Sequence, residues 1–218
     1  MDHKEMFEAL QKSERVTVKY KDESWLMKLI GGLMFFNRGF MTNFITTIGE
    51  TVYFPTRQSV ESDYHEAWMT LAHELVHVED YRKNRPLFML GYCMPQLLAA
   101  LALLAPILWS WWPLLALVFL APLPAPWRRN AELRGYAMSM AVLYWQRRSG
   151  IPQSLKANIV EYLTGPDYYF SWWSKQQMTD EVGRWSKRVL CNELPQYGDV
   201  FARVRTMLEL RLSKGQSG

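Results

Sequence analysis

The sequence predicts a mostly helical α+β fold with a small β-hairpin and an inserted apolar helical hairpin. Three observations carry that prediction. Residues 63–84 place apolar side chains at helical spacing, and residues 44–56 are rich in β-branched and aromatic side chains. Residues 86–127 form a block of 42 residues without one Asp, Glu, Lys or Arg. At 218 residues the chain is long enough for one domain with a core, and its 14% aromatic content, ten tryptophans included, excludes a disordered chain.

In chain order, residues 4–12 read as a short amphipathic helix and residues 15–20, RVTVKY, as a strand. Residues 24–36, SWLMKLIGGLMFF, read as an apolar helix interrupted by Gly31 and Gly32; it is either a core helix or one lying in a membrane interface, anchored by Trp25 and Lys28. In residues 44–56, FITTIGETVYFPT, Gly49–Glu50 can turn the chain between two strands, and Pro55 ends the second or marks an edge. Asp63 starts the next helix, with Glu66 in capping-box position, and Pro86 ends it by Asn84. Trp68, Leu71, Ala72, Leu75 and Val78 form its buried stripe. A further helix is expected over 128–147, and the remainder is helical with breaks at Pro152, Gly165–Pro166 and Pro195.

The net charge of +4 comes without an arginine-rich stripe, so nucleic-acid binding is not expected. Cys93 and Cys191 are the only cysteines and form no CxxC pair, which fits a reducing compartment better than a disulfide scaffold. The charged N-terminal stretch lacks the apolar core of a secretory signal, so export by that route is not expected.

Residues 73–77 read HELVH. Residues i and i+4 of a helix share a face, so His73 and His77 can present two imidazole nitrogens to one ion. Glu74 can then reach a metal-held water without being a ligand; zinc polarises the scissile carbonyl while Glu74 takes the water's proton and passes it to the leaving amine. A catalytic zinc usually has a third protein ligand. His65 lies two turns too early, Glu79 points to another face, and Asp80 is better suited to orient a ligand or bind an arginine. Glu132, early in the next helix (RRNAELRGYAMS), is the strongest candidate.

HExxH followed by a glutamate from a later helix resembles the gluzincin metallopeptidases. With an apolar segment between the halves, it is similar to the membrane-embedded heat-shock membrane protease and CaaX prenyl endopeptidase group. The resemblance covers roughly residues 44–140. It implies a zincin-like peptidase core, Zn2+ held by His73, His77 and Glu132, Glu74 as general base, and a polypeptide substrate. An edge strand lines the cleft in such enzymes, a role to which ETVYFP (residues 50–55) is suited. The sequence departs from the family at Tyr136, where an aspartate commonly buttresses a zinc histidine. The phenol could hydrogen-bond a ligand, stabilise an oxyanion, or be a core aromatic, and Asp80 could supply the missing carboxylate.

The block at 86–127 is long enough for two helices of about 20 residues meeting near PILWSWWP, each able to span a bilayer core. Arg82, Lys83 and Arg85 precede it, and Arg128 and Arg129 follow it, so both ends belong on the cytoplasmic side. Its prolines also allow a shallow re-entrant hairpin. Residues 1–85 and 128–218 would then form the peptidase-like domain around an inserted membrane module. The competing expectations are a soluble cytoplasmic protein with a buried hairpin, and a non-catalytic membrane or assembly protein that retains the metal site. In the latter, the tryptophan-rich stretch DYYFSWWSKQQ could bind a partner, although such stretches more often fill a core or face a membrane interface.

Overall fold

A computed structural model describes residues 2–33, 39–120, 123, 125–165 and 173–215. Met34, Phe35 and Phe36 of the first apolar segment, Pro166 of the expected break and most of DYYFSWW lie outside these residues.

Helix α1 (His3–Ser13) starts at an Asp2 capping box, in which the Asp2 side chain accepts from the Glu5 amide and the Glu5 side chain accepts from the Asp2 amide. Strand β1 (Thr17–Tyr20) and α2 (Trp25–Leu33) follow, then the hairpin β2 (Thr46–Ile48) and β3 (Thr51–Phe54). Gly49 supplies the left-handed turn between them at φ 64°. The sheet order is β1-β3-β2, with β1 parallel and β2 antiparallel to β3. This corrects one expectation: β3, which carries TVYF, is the central strand. It takes β1 on one side, Val18 opposite Val52, so the edge beside the site falls to β2.

After α3 (Arg57–Ser62), helix α4 (Tyr64–Lys83) runs through HELVH. Asp63 caps it by accepting from the Glu66 amide at 3.0 Å, and Arg82 and Lys83 lie in its last turn, where cations suit the helix dipole. The expected stripe is buried. The opposite face is buried too, so that every residue from Leu71 to Glu79 is out of solvent. A helix enclosed on all sides must pair its polar groups internally, and those groups are His73, Glu74, His77 and Glu79. Alongside α4 pack α1, the sheet, α6 (Pro126–Arg147) and α9 (Asp199–Gly215), while α7 (Gln153–Thr164) and α8 (Lys175–Leu190) close the far side of α6.

The inserted block departs from two long helices. It consists of α5 (Arg85–Cys93) and two 3-10 segments, Gln96–Leu104 and Trp112–Leu120, which pack against each other. Pro95 and Pro106 each remove an amide donor from the i→i−4 ladder, which explains the interruptions after α5 and after Gln96–Leu104, while Pro113 falls in the first turn of the second segment, where proline is tolerated. Among the described residues no single helix is long and apolar enough to cross a membrane; α5 and Gln96–Leu104 together are, but they meet at an 86° bend. The block keeps its apolar side chains on the surface, with Leu103 at 73%, Trp109 at 96% and Trp111 at 72% exposure.

One buried charge stands outside this plan. Lys21 is fully buried, donates from Nζ to the Phe40 carbonyl at 2.6 Å, and sits 4.0 Å from the Phe40 ring centroid. Burial pulls its ammonium down to about 8, with the Glu74 carboxylate opposing in part. The unfolded chain therefore holds a proton that the folded chain has lost between about pH 8 and the ordinary value of 10.5, and folding stability should rise across that window. Below it, the charge is buried at full cost. Urea unfolding at about pH 7.5 and about pH 10 should show wild type gaining stability relative to Lys21→Met as pH rises. Parallel changes in the two proteins would remove Lys21 as the cause.

Candidate metal centre

Helices α4 and α6 pack side by side and bring three buried side chains together. His73 Nε2 lies 3.8 Å from Glu132 Oε2, and His77 Nε2 lies 3.8 Å from Glu132 Oε1. One ligand atom from each of the three falls within 4.8 Å of the others. The close approach depends on Gly135: a Cβ there would stand 2.4 Å from His73 Nε2. That glycine, three residues after Glu132, is the signal that sequence reasoning passed over.

The donor set suits a zinc ion. Two imidazole nitrogens and one carboxylate oxygen are the protein ligands of a known class of catalytic zinc site. Ligands at about 2.0–2.1 Å from a tetrahedral ion stand about 3.3 Å apart, so the two 3.8 Å histidine–glutamate separations, in a group that falls within 4.8 Å, must contract for an ion to bind. Burial pushes the Glu132 carboxyl up, but the imidazoles facing it, His73 first, outweigh that and hold it at about 2. For His73 burial works downward, and the carboxylates of Glu132 and Glu74 more than reverse it, leaving a net rise.

The outer groups differ from expectation in instructive ways. His73 Nδ1 lies 3.2 Å from Ser139 Oγ, which itself donates to the Gly135 carbonyl at 3.4 Å. With Nδ1 as donor, this chain leaves the Nε2 lone pair toward Glu132. Ser139, two turns beyond Glu132 on α6, thus takes up the contact expected of an aspartate at 136. Tyr136 stands edge-on to the His73 ring, centroids 4.9 Å apart, and packs against the main core. Asp80 pairs with Arg134, which also donates to the Tyr197 carbonyl at 2.6 Å. Of the two roles considered for Asp80, arginine binding is the one observed; His77 Nδ1 has no hydrogen-bond partner among the described residues.

Glu74 faces the sheet. Thr47 on β2 donates from Oγ1 to Glu74 Oε2 at 2.7 Å, joining edge strand and helix beside the two histidines. Tyr92 on α5 donates to Glu132 Oε1 at 2.6 Å. Neither hydroxyl could be found from spacing, because the partners are 27 and 40 residues apart. The rejected ligands serve elsewhere. His65 packs edge-on against His3, and Glu79 accepts from the Val200 amide at 3.1 Å, holding the start of α9. Cys93 and Cys191 are free thiols.

Comparison with protein-family models, curated proteins and solved structures finds no match. The buried His73, His77 and Glu132 group, compatible with a HExxH-plus-glutamate zinc site, is what the molecule itself offers as a functional centre.

Proposed function

We propose that this chain is a zinc-dependent endopeptidase of the gluzincin type, acting on polypeptide substrates at a membrane surface. The observation that carries the reading is the convergence of His73, His77 and Glu132, with a second, non-ligating carboxylate, Glu74, on the helix of the two histidines. Zinc bound there would polarise a scissile carbonyl and acidify a water molecule. His73, His77 and Glu132 hold the ion. Thr47 occupies Glu74 Oε2, which orients the carboxylate and leaves Oε1 to take a proton and later hand it to the leaving amine. Tyr136 fixes the plane of the His73 ring. The outer edge of β2 offers backbone groups to an extended substrate next to Glu74.

The membrane part of the reading rests on the surface of the inserted block. Leu87, Leu103, Ile107, Trp109 and Trp111 are each more than two-thirds exposed. Contiguous apolar surface of this kind marks a lipid or partner contact. Arg82, Lys83, Arg85, Arg128 and Arg129 at its two ends support a cytoplasmic position for the catalytic domain.

The test is metal content and hydrolysis on the purified full-length chain. Expected are one equivalent of zinc, chelator-sensitive cleavage of an unfolded protein substrate, and loss of zinc in Glu132→Ala. Tight stoichiometric zinc in that variant would remove Glu132 from the ligand set. Zinc without hydrolysis would favour the non-catalytic assembly protein. Unchanged membrane association of a chain lacking residues 88–125 would overturn the lipid contact.

A further inference from the structure

Tyr92 links the inserted block to the metal centre, and α6 holds it at two points. Its hydroxyl donates to Glu132 Oε1 at 2.6 Å, within the short range of hydrogen bonds to a charged acceptor. Its carbonyl accepts from Arg128 through Nε at 3.0 Å and Nη2 at 2.9 Å, and the same guanidinium reaches Gln96 Oε1 at 2.8 Å. Arg128 also lies 5.3 Å from the Tyr92 ring centroid. Arg128 and Glu132 are one turn apart on one face of α6, so a single helix grips the main chain and the side chain of one residue. The ring further approaches His77, centroids 6.2 Å apart, and Phe88, 5.7 Å apart.

A glutamate side chain can rotate its carboxylate away from an ion, and a hydrogen bond to one oxygen restricts that rotation. Partners of ligating carboxylates typically contribute 10- to 100-fold to metal affinity, roughly as a class. We propose that Tyr92 is a positioning residue for the metal centre: its hydroxyl locks the Glu132 carboxylate and ties metal affinity to the docking of the inserted block. The proposal rests on His73, His77 and Glu132 holding zinc. It assigns the block a second role beyond contact with lipid, because displacement of α5 from α6 would break the hydrogen bond that restrains a ligand. Arg128, by holding Tyr92 and Gln96 together, keeps the block in register with that ligand.

The experiment compares wild type, Tyr92→Phe and Phe88→Leu as full-length chains in detergent. Zinc affinity is read by competition with a chromophoric chelator, and the ligand field by the visible spectrum of the cobalt(II)-loaded proteins. Tyr92→Phe should bind zinc about 10-fold more weakly or worse and shift the cobalt bands, beyond whatever the lost buried hydrogen bond costs the metal-free protein in unfolding temperature. Phe88→Leu alters packing beside Tyr92 while sparing the hydroxyl and should match wild type in both readouts. Wild-type or tighter zinc binding by Tyr92→Phe overturns the proposal while leaving the metal site intact. An equal loss in Phe88→Leu also overturns it, because packing rather than the hydroxyl would then set the affinity. A wild-type chain that binds no zinc instead overturns the metal reading, and this proposal with it.

Discussion

Glu74→Gln is expected to lose hydrolysis by about 100- to 10,000-fold while keeping one equivalent of zinc. Gln has the shape of Glu, and its amide oxygen can still accept from Thr47 Oγ1, so β2 stays joined to α4. What the variant lacks is a group that can take a proton at the neutral pH of the reaction. Zinc should remain because Glu74 is outside the set whose ligand atoms converge, which consists of His73, His77 and Glu132. Metal analysis and a protease assay on one preparation read both halves. Full activity would refute Glu74 as the base, and loss of zinc would make it a ligand instead.

Gly135→Ala should weaken zinc binding by about 100-fold or more, although alanine is the better helix former by roughly 1 kcal/mol. The added methyl would lie 2.4 Å from His73 Nε2 and 2.7 Å from both neighbouring ring carbons. These atoms belong to a buried ring rather than to the end of a flexible chain, so the imidazole must move by about 1 Å, half the length of a zinc–nitrogen bond. Moving it also disturbs the contact with Ser139, worth about 1 kcal/mol, which offsets the helical gain. Overpacking the buried ring adds a further cost, so the metal-free protein should unfold about 1–3 kcal/mol below wild type while its stabilisation by zinc is largely lost. Thermal unfolding with and without zinc separates the two effects. An unchanged zinc-induced shift would mean that α4 and α6 do not close on each other as described.

These expectations differ in how far they could be drawn from sequence. Asp63, the spacing from Trp68 to Val78 and the Asn84 end define α4, because caps and helical periodicity act within a few residues. The same locality places His73 and His77 on one face. It fails at Pro95 and Pro106, where hydrophobicity suggested long helices and the missing amide donors interrupt the chain between short segments. Local pattern also cannot order a sheet. The parallel pairing of β1 with β3 spans α2 and β2, and it covers the free side of β3, leaving β2 as the edge next to the site.

The sequence by itself determined the mostly helical α+β character, the helix that carries HELVH, and the nomination of Glu132 as a partner across an uncharged block. Those features follow from residue type and short-range spacing. Only the tertiary structure decided which groups surround the site: Ser139 on His73, Thr47 on Glu74, Tyr92 on Glu132, and Arg134 on Asp80. These contacts join separate elements, and each depends on how closely two backbones approach. At Gly135 that approach is set by a missing side chain, whose importance appears only once α4 and α6 are packed.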